Sequence, residues 1–378
     1  MNKIVALSAL ALVAAAACSQ DRNVTGLAAD RAAALNASAV ASNADQPGAV
    51  YALTNQASGN AVAIFARGAD DSLTWQSNVA TGGTGAGSGL GSQGALALSD
   101  DGRWLFAVNA GSNDVSVFRV NDARLSLASR SASGGIRPIS LTVHGNVLYV
   151  LNAGGVGNIS SFSIGSDGGL AAIPGSTRAL SGTNVGPAQV AFSPDGQRLV
   201  VTEKTTNRLD VYTVDRDGVA SAATWTASAG GTPFGFAFGH RDELFVSEAA
   251  GSASSYVIAH DGSLTLASGA VLTNQGAPCW AVVTKNGKFG YTANAQGGSI
   301  SGFAIANDGT IELIDADGRT AVVGSGNIDL ALSGNSRYLY ELNGDRSISG
   351  FRIEADGHLT PAGRSATLPA STVGLVAR

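Results

Sequence analysis

Leu148-Tyr-Val-Leu-Asn152 is an apolar run closed by one polar residue. Six more segments share that form: Tyr51-Ala-Leu-Thr-Asn55, Leu105-Phe-Ala-Val-Asn109, Leu199-Val-Val-Thr-Glu203, Leu244-Phe-Val-Ser-Glu248, Gly290-Tyr-Thr-Ala-Asn294 and Leu339-Tyr-Glu-Leu-Asn343. Their closing residues are spaced 54, 43, 51, 45, 46 and 49 apart. A period in this range marks one supersecondary unit written several times. Eight to ten residues beyond each closing residue stands an aromatic: Phe65, Phe118, Phe162, Tyr212, Tyr256, Phe303 and Phe351. Each ends a short alternating run such as Val115-Ser-Val-Phe118, which has the period of a strand. Asp-Gly turns follow several of them, as at Asp217-Gly218 and Asp261-Gly262. Another short run precedes the units, as in Ala188-Gln-Val-Ala-Phe192.

Four short strands per unit of about 48 residues, without helical periodicity, predict an all-β protein. The architecture is a seven-bladed β-propeller with four-stranded blades. The first unit begins at its second strand, Val50 to Thr54. Its missing innermost strand is expected at Thr372-Val-Gly-Leu-Val376, so that the C-terminal strand completes the first blade. That pairing leaves no open sheet edge at the ends of the repeat.

Composition narrows the function classes. Charged residues make up 13% of the 378, and the net charge is −5. A chain without a basic face is a poor binder of nucleic-acid backbone. Glycine is frequent, at 50 residues, but has no three-residue period, and Pro numbers only nine. Collagen is thereby excluded.

The N-terminus reads as an address. Lys3 precedes an apolar run from Ile4 to Ala17, too short to span a bilayer and suited to a signal peptide. Ala15-Ala16-Ala17-Cys18 resembles a bacterial lipobox. Residues 1–18 are therefore expected to be a lipoprotein-type signal peptide, with Cys18 lipidated. Residues 19–47, rich in Ala, Ser and Asn, read as a flexible tether, and 48–378 as a single propeller domain. The expected location is the periplasm, lipid-anchored, on the outer membrane; the alternative is ordinary secretion in soluble form. Membrane contact is through the N-terminal lipid only, and the expected state is a monomer. Only Cys279 remains in the body, which predicts a fold without an internal disulfide.

The seven-unit pattern, with its Asp-Gly turns, Ser193-Pro-Asp-Gly196 and Leu148-Tyr-Val-Leu-Asn152, resembles the seven-bladed lactonase-type propellers. That family includes 6-phosphogluconolactonases and 3-carboxymuconate-cyclising enzymes. The resemblance covers residues 48–378 and implies hydrolysis of a sugar-type lactone or related ester. The related enzymes carry His and Arg around the pocket, whereas the fourth unit here reads Pro187-Ala-Gln-Val190.

In a propeller, the start of each first strand and the end of each second strand share one face, around the channel mouth. Gln189, Arg137 and Trp280 are placed there, with Asn152, Asn294, Glu203 and Glu248 beside them. All four His fall on turns of the opposite face. Glu203 and Glu248 break the Asn rule in consecutive units, and two adjacent carboxylates suit acid–base work. They are the catalytic candidates. Arg137 and Arg208 are candidates to hold an anionic group by bidentate bonds. Gln189, Asn152, Asn294 and Trp280 complete the expected substrate-binding set. The alternative function is a non-enzymatic propeller binding a glycan, peptide or envelope protein on the same face. The Gly-rich stretch Thr81–Ser92 reads as a flexible loop of that face. No metal or organic cofactor is expected, because one body Cys and four scattered His cannot build a zinc site.

Overall fold

The computed structural model describes residues 48–122 and 124–378. The expected signal peptide, Cys18 and the tether lie outside the described residues. The rest forms seven antiparallel sheets arranged as blades of a ring. Blade 1 contains Ala49–Leu53, Ala61–Arg67, Leu73–Ala80 and, as its innermost strand, Val373–Ala377. The C-terminal strand pairs with Ala49–Leu53, setting Val50 against Ala377 and Leu53 against Val373. Ring closure by the C-terminal strand is thus as the sequence predicted. Blades 2 to 7 follow in order, each running from the ring's centre outward.

The repeated motif is the second strand of each blade. Leu148-Tyr-Val-Leu-Asn152 and its counterparts in blades 4 and 5 are buried along nearly their whole length. Each blade packs face to face between two neighbours, so both sides of this strand are covered and alternation disappears. Fourth strands lie at the rim, and Thr224–Ala227 is mostly exposed. The seven repeated aromatics sit on third strands and are all at most 4% exposed. They fill the seams between blades.

First strands begin where second strands end. Pro138 lies opposite Asn152, Pro187 opposite Glu203, Pro233 opposite Glu248 and Pro278 opposite Asn294. Proline is tolerated at the first position of a strand, where its missing N–H breaks no ladder bond. These residues define the upper face of the ring. The four His occupy the lower one.

The Gly-rich loop is not a loose flap. Its end dips across the ring's axis. Gln93 accepts the Ala281 N–H (2.9 Å) and donates its amide to the Ala281 carbonyl (2.7 Å) in blade 6. Its own N–H donates to Ala188 in blade 4. Ser92 donates its hydroxyl to Ile139 in blade 3, and its carbonyl accepts the Trp280 indole N–H at 3.0 Å. A Cβ on Gly235 would lie 2.1 Å from the Gln93 amide oxygen, so only glycine fits where blade 5 meets this spoke. The expected flexibility is therefore corrected: composition favours mobility, but contacts to four blades fix the segment.

The seam between blades 7 and 1 is polar. Asp71 accepts Tyr338 Oη at 2.7 Å and Arg352 at 2.6 Å, and Arg67 stacks over the Tyr338 ring. In blade 6, Cys279 is buried and is not a free thiol. The expectation of a body without a disulfide is thereby corrected.

Candidate functional site

Most of the residues that close second strands turn sideways, onto their own blade's next strand or the segment arriving from the preceding blade. Asn109 donates to Asp114 and Ser116. Asn294 donates to Ser299 and Ser301, and Asn152 to Asn158 and the Ser133 carbonyl. All three Asn are fully buried. They act as clamps, and their amide nitrogens are occupied.

Glu203 and Glu248 do the same work as carboxylates. Glu203 accepts the Ser181 N–H (3.0 Å), the Ser181 hydroxyl and the Thr206 hydroxyl (2.6 Å). Glu248 accepts Ser228, Gly230 N–H, Ser252 and Ser254. Both are 0% exposed, and each serves a different seam. The structure does not bring the two together. Gln189 zips blade 4 to blade 5 by exchanging both amide bonds with Phe236. Trp280 is buried, edge-on to Phe234 at 5.2 Å.

Arg208 binds Asp210 at 2.7 Å and stacks on the exposed Trp225. Arg137 differs. It is exposed, sits in the left-handed region (φ 54°), and its N–H is held by the Asn113 side chain at 2.7 Å. Of the eight candidates it alone is exposed and forms no ion pair among the described residues.

Two residues of blade 4 escaped the sequence reading. The first is Lys204, directly after Glu203. Its Nζ donates to the carbonyls of Gly91 (2.6 Å) and Pro187 (3.1 Å) and lies 4.9 Å from the Phe234 ring centre. Burial, and then the nearby Arg137 charge, push its pKa down to about 7. The second is Asp210, at the third-strand position where blades 2, 3, 5, 6 and 7 carry Ser116, Ser160, Ser254, Ser301 and Ser349. Burial first, and then the adjacent Glu203 carboxyl, push Asp210 up to about 7. Like charges this close share a proton rather than both ionise. The available signal was a broken repeat. The position after the closing residue is Ala in blades 2, 3, 5 and 6, and Lys in blade 4 alone.

Asp210 makes the fold pH-sensitive. An unfolded Asp ionises near pH ~4, so between there and about pH 7 the folded chain holds a proton that the unfolded chain has lost. Stability therefore falls as pH rises through that window. Asp210→Ser restores the repeat and gives Glu203 a donor. We expect it to stabilise the protein by about 1–3 kcal/mol at pH 8, and by less at pH 5. Urea unfolding at the two pH values checks this; an equal gain at both refutes it.

Among the described residues no three His, Cys, Asp or Glu side chains converge as a metal site. What the upper face offers is cationic: Arg137, beside Lys204, above an aromatic pair and a spoke of backbone carbonyls.

The sequence profile described as "Lactonase, 7-bladed beta-propeller" matches residues 58–172 and 244–327, more than half of the chain. The gap between them holds blade 4, with Lys204 and Asp210. No curated protein matches. Among solved structures, a candidate 6-phosphogluconolactonase from Bacteroides fragilis gives a TM-score of 0.72 at 20% identity, covering 89% of this chain and 99% of that one. The periplasmic gluconolactonase of Pseudomonas aeruginosa gives 0.70 at 19%, covering 86% and 98%. A protein from Lactobacillus plantarum gives 0.72 at 17%, covering 88% and 99%. At such identities the structural likeness carries the fold alone. The profile match goes further: the chain belongs to the seven-bladed β-propeller lactonase family.

Proposed function

We propose that this protein is a cell-envelope lactonase-type hydrolase, opening a sugar-type lactone or related ester at the channel mouth on its upper face. The observation that carries the reading is Arg137. In a lactonase-family propeller, an exposed guanidinium with no carboxylate partner among the described residues, next to a second cation, suits an anionic substrate group. We expect the purified protein to turn over members of a lactone panel, best those bearing a carboxylate or phosphate. Arg137→Gln should lower kcat/KM by about 10–100-fold with unchanged melting, as for loss of a charged hydrogen bond. Absence of turnover across the panel sinks the proposal. It would favour the second reading, a non-enzymatic binder of a glycan, peptide or envelope protein. The engagement of Glu203 and Glu248 supports that reading, since every oxygen of the two carboxylates already accepts a hydrogen bond within the fold.

The envelope location rests on the lipobox at Cys18 and is supported by the periplasmic relative of the same fold. The chain has two cysteines, so lipidation of Cys18 and a bond from Cys18 to Cys279 exclude each other. Mass spectrometry of the N-terminal peptide distinguishes the two, a lipidated Cys18 carrying the mass of its acyl groups. We also expect Cys18→Ser to release the protein from the membrane. A Cys18→Ser chain that is processed and still membrane-attached refutes the anchor.

A further inference from the structure

We propose that Ile136 and Val156 form an apolar ledge beside Arg137, and that this ledge selects lactones carrying an aliphatic or aromatic substituent as well as an anionic group. The proposal rests on the lactonase reading and narrows its substrate class.

Two departures from the repeat carry the argument. The first is a length. The turn between second and third strands runs from the closing residue to the residue paired with it. In blades 2, 4 and 6 it joins Asn109 to Asp114, Glu203 to Arg208 and Asn294 to Ser299. In blade 5 it is shorter, Glu248 to Ser252. In blade 3 it runs from Asn152 to Asn158, longer by a residue than any of these. Val156 stands within that longer turn, 61% exposed.

The second departure is one of placement. Large apolar side chains are exposed at eight of the described residues, and six of these lie on third or fourth strands, toward the rim. Ile136 and Val156 are the other two, and both stand in upper-face connections of blade 3. Two positions before the strand-opening Pro, where blade 3 has Ile136, blade 4 has Val185 and blades 5 and 6 have Gly231 and Gly276. Val185 is buried, whereas Ile136 is 57% exposed.

The two side chains are neighbours. The Gly154 N–H donates to the Ile136 carbonyl at 2.8 Å. A Cβ on Gly154 would lie 2.5 Å from Ile136 Cγ2, so this side chain lies against the bare backbone that leads to Val156. Its other side is left to water. Apolar surface that stays in water adds nothing to folding, but a ligand that covers it gains the transfer energy.

Charge says what covers it. Arg137 is the next residue, its Cα about 3.8 Å from that of Ile136. Its guanidinium acts on the Lys204 amine, which rests on the Gly91 carbonyl of the spoke. The cation therefore stands on the hub side of the ledge. An anionic group held there directs the rest of the ligand over Ile136 and Val156. Neither side chain can donate or accept a hydrogen bond, so sugar hydroxyls laid on them would lose water without replacement. An alkyl or phenyl substituent loses nothing. A protein partner needs far more surface than two side chains, about 800 Å² on each side.

The test uses the purified protein and two lactones with the same ring and carboxylate, one of them bearing a hexyl chain. The native protein should turn over the hexyl lactone with a kcat/KM about 10-fold or more above its parent. Ile136→Ser combined with Val156→Ser should bring that ratio close to 1, chiefly by raising KM for the hexyl lactone. Should the double variant fail to fold, Val156→Thr exchanges one exposed methyl for a hydroxyl and should lower the ratio by about 3-fold. A native ratio at or below 1, or a ratio unchanged in the folded variants, overturns the ledge and leaves the lactonase reading standing. No turnover of either lactone overturns both.

Discussion

A chain ending at Ser371 does not fold cooperatively. Residues 372–378 supply the innermost strand of blade 1, whose neighbour Ala49–Leu53 is at most 2% exposed. Truncation removes the buried Val373 and Leu375 side chains, together worth about 3–5 kcal/mol. It removes the ladder to Ala49–Leu53, the Arg378 N–H to Ala49 bond and the Leu375 N–H to Asp329 bond. At about 1 kcal/mol per bond, the loss approaches the whole stability of a typical domain, about 5–15 kcal/mol. It also strips a hydrogen-bonded edge. Calorimetry and soluble yield read the outcome. A truncated protein with a melting transition within about 2 °C of the full chain would show that the seam holds without its last strand.

Glu248→Ala is the point substitution with the largest expected cost. The carboxylate gathers three serine hydroxyls and the Gly230 N–H at 2.5–2.9 Å, linking the end of blade 4 to blade 5. A Cβ on Gly230 would lie 1.9 Å from the carboxylate oxygen, so the fit is close. Alanine leaves four buried donors unpartnered at once. The expected destabilisation is about 3–5 kcal/mol, a fall in melting temperature of roughly 6–12 °C. Glu248→Gln keeps one acceptor oxygen and should fall between. If Glu248→Ala instead melts like the native protein and loses lactone turnover, the carboxylate belongs to the chemistry and not to the seam.

The sequence reading reached the blades because each blade repeats a local pattern. Leu148–Asn152 and its six relatives announce a buried second strand, and Phe118 or Tyr256 a filled seam. It also placed Glu203 and Glu248 at the correct strand ends. What it missed was the direction of their side chains. The pleat turns Glu203 and Glu248 toward the segments that arrive from the preceding blades, a fact visible only once blades are stacked. The spoke was illegible for a different reason. Gln93 and Ala281 are 188 residues apart, and nothing near Gln93 in the chain hints at the contact. Lys204 and Asp210 were readable in principle, as departures from Ala and Ser at fixed repeat positions. Disorder within a repeat is a sharper pointer to chemistry than residue type alone.

The spoke also changes what kind of object the repeat is. In an open array each unit feels only its nearest neighbours, and the energetic effects of distant substitutions simply add. Here Ala188 and Ala281, on blades 4 and 6, lean on the same glutamine. Strain introduced at one is transmitted to the other across the axis without passing around the circumference. The seven blades therefore behave less like beads on a closed string than like a hub-braced wheel, in which fraying of a single unit is resisted by blades beyond its immediate neighbours. The upper face is built directly on that hub, since Lys204 rests on the Gly91 carbonyl of the same segment.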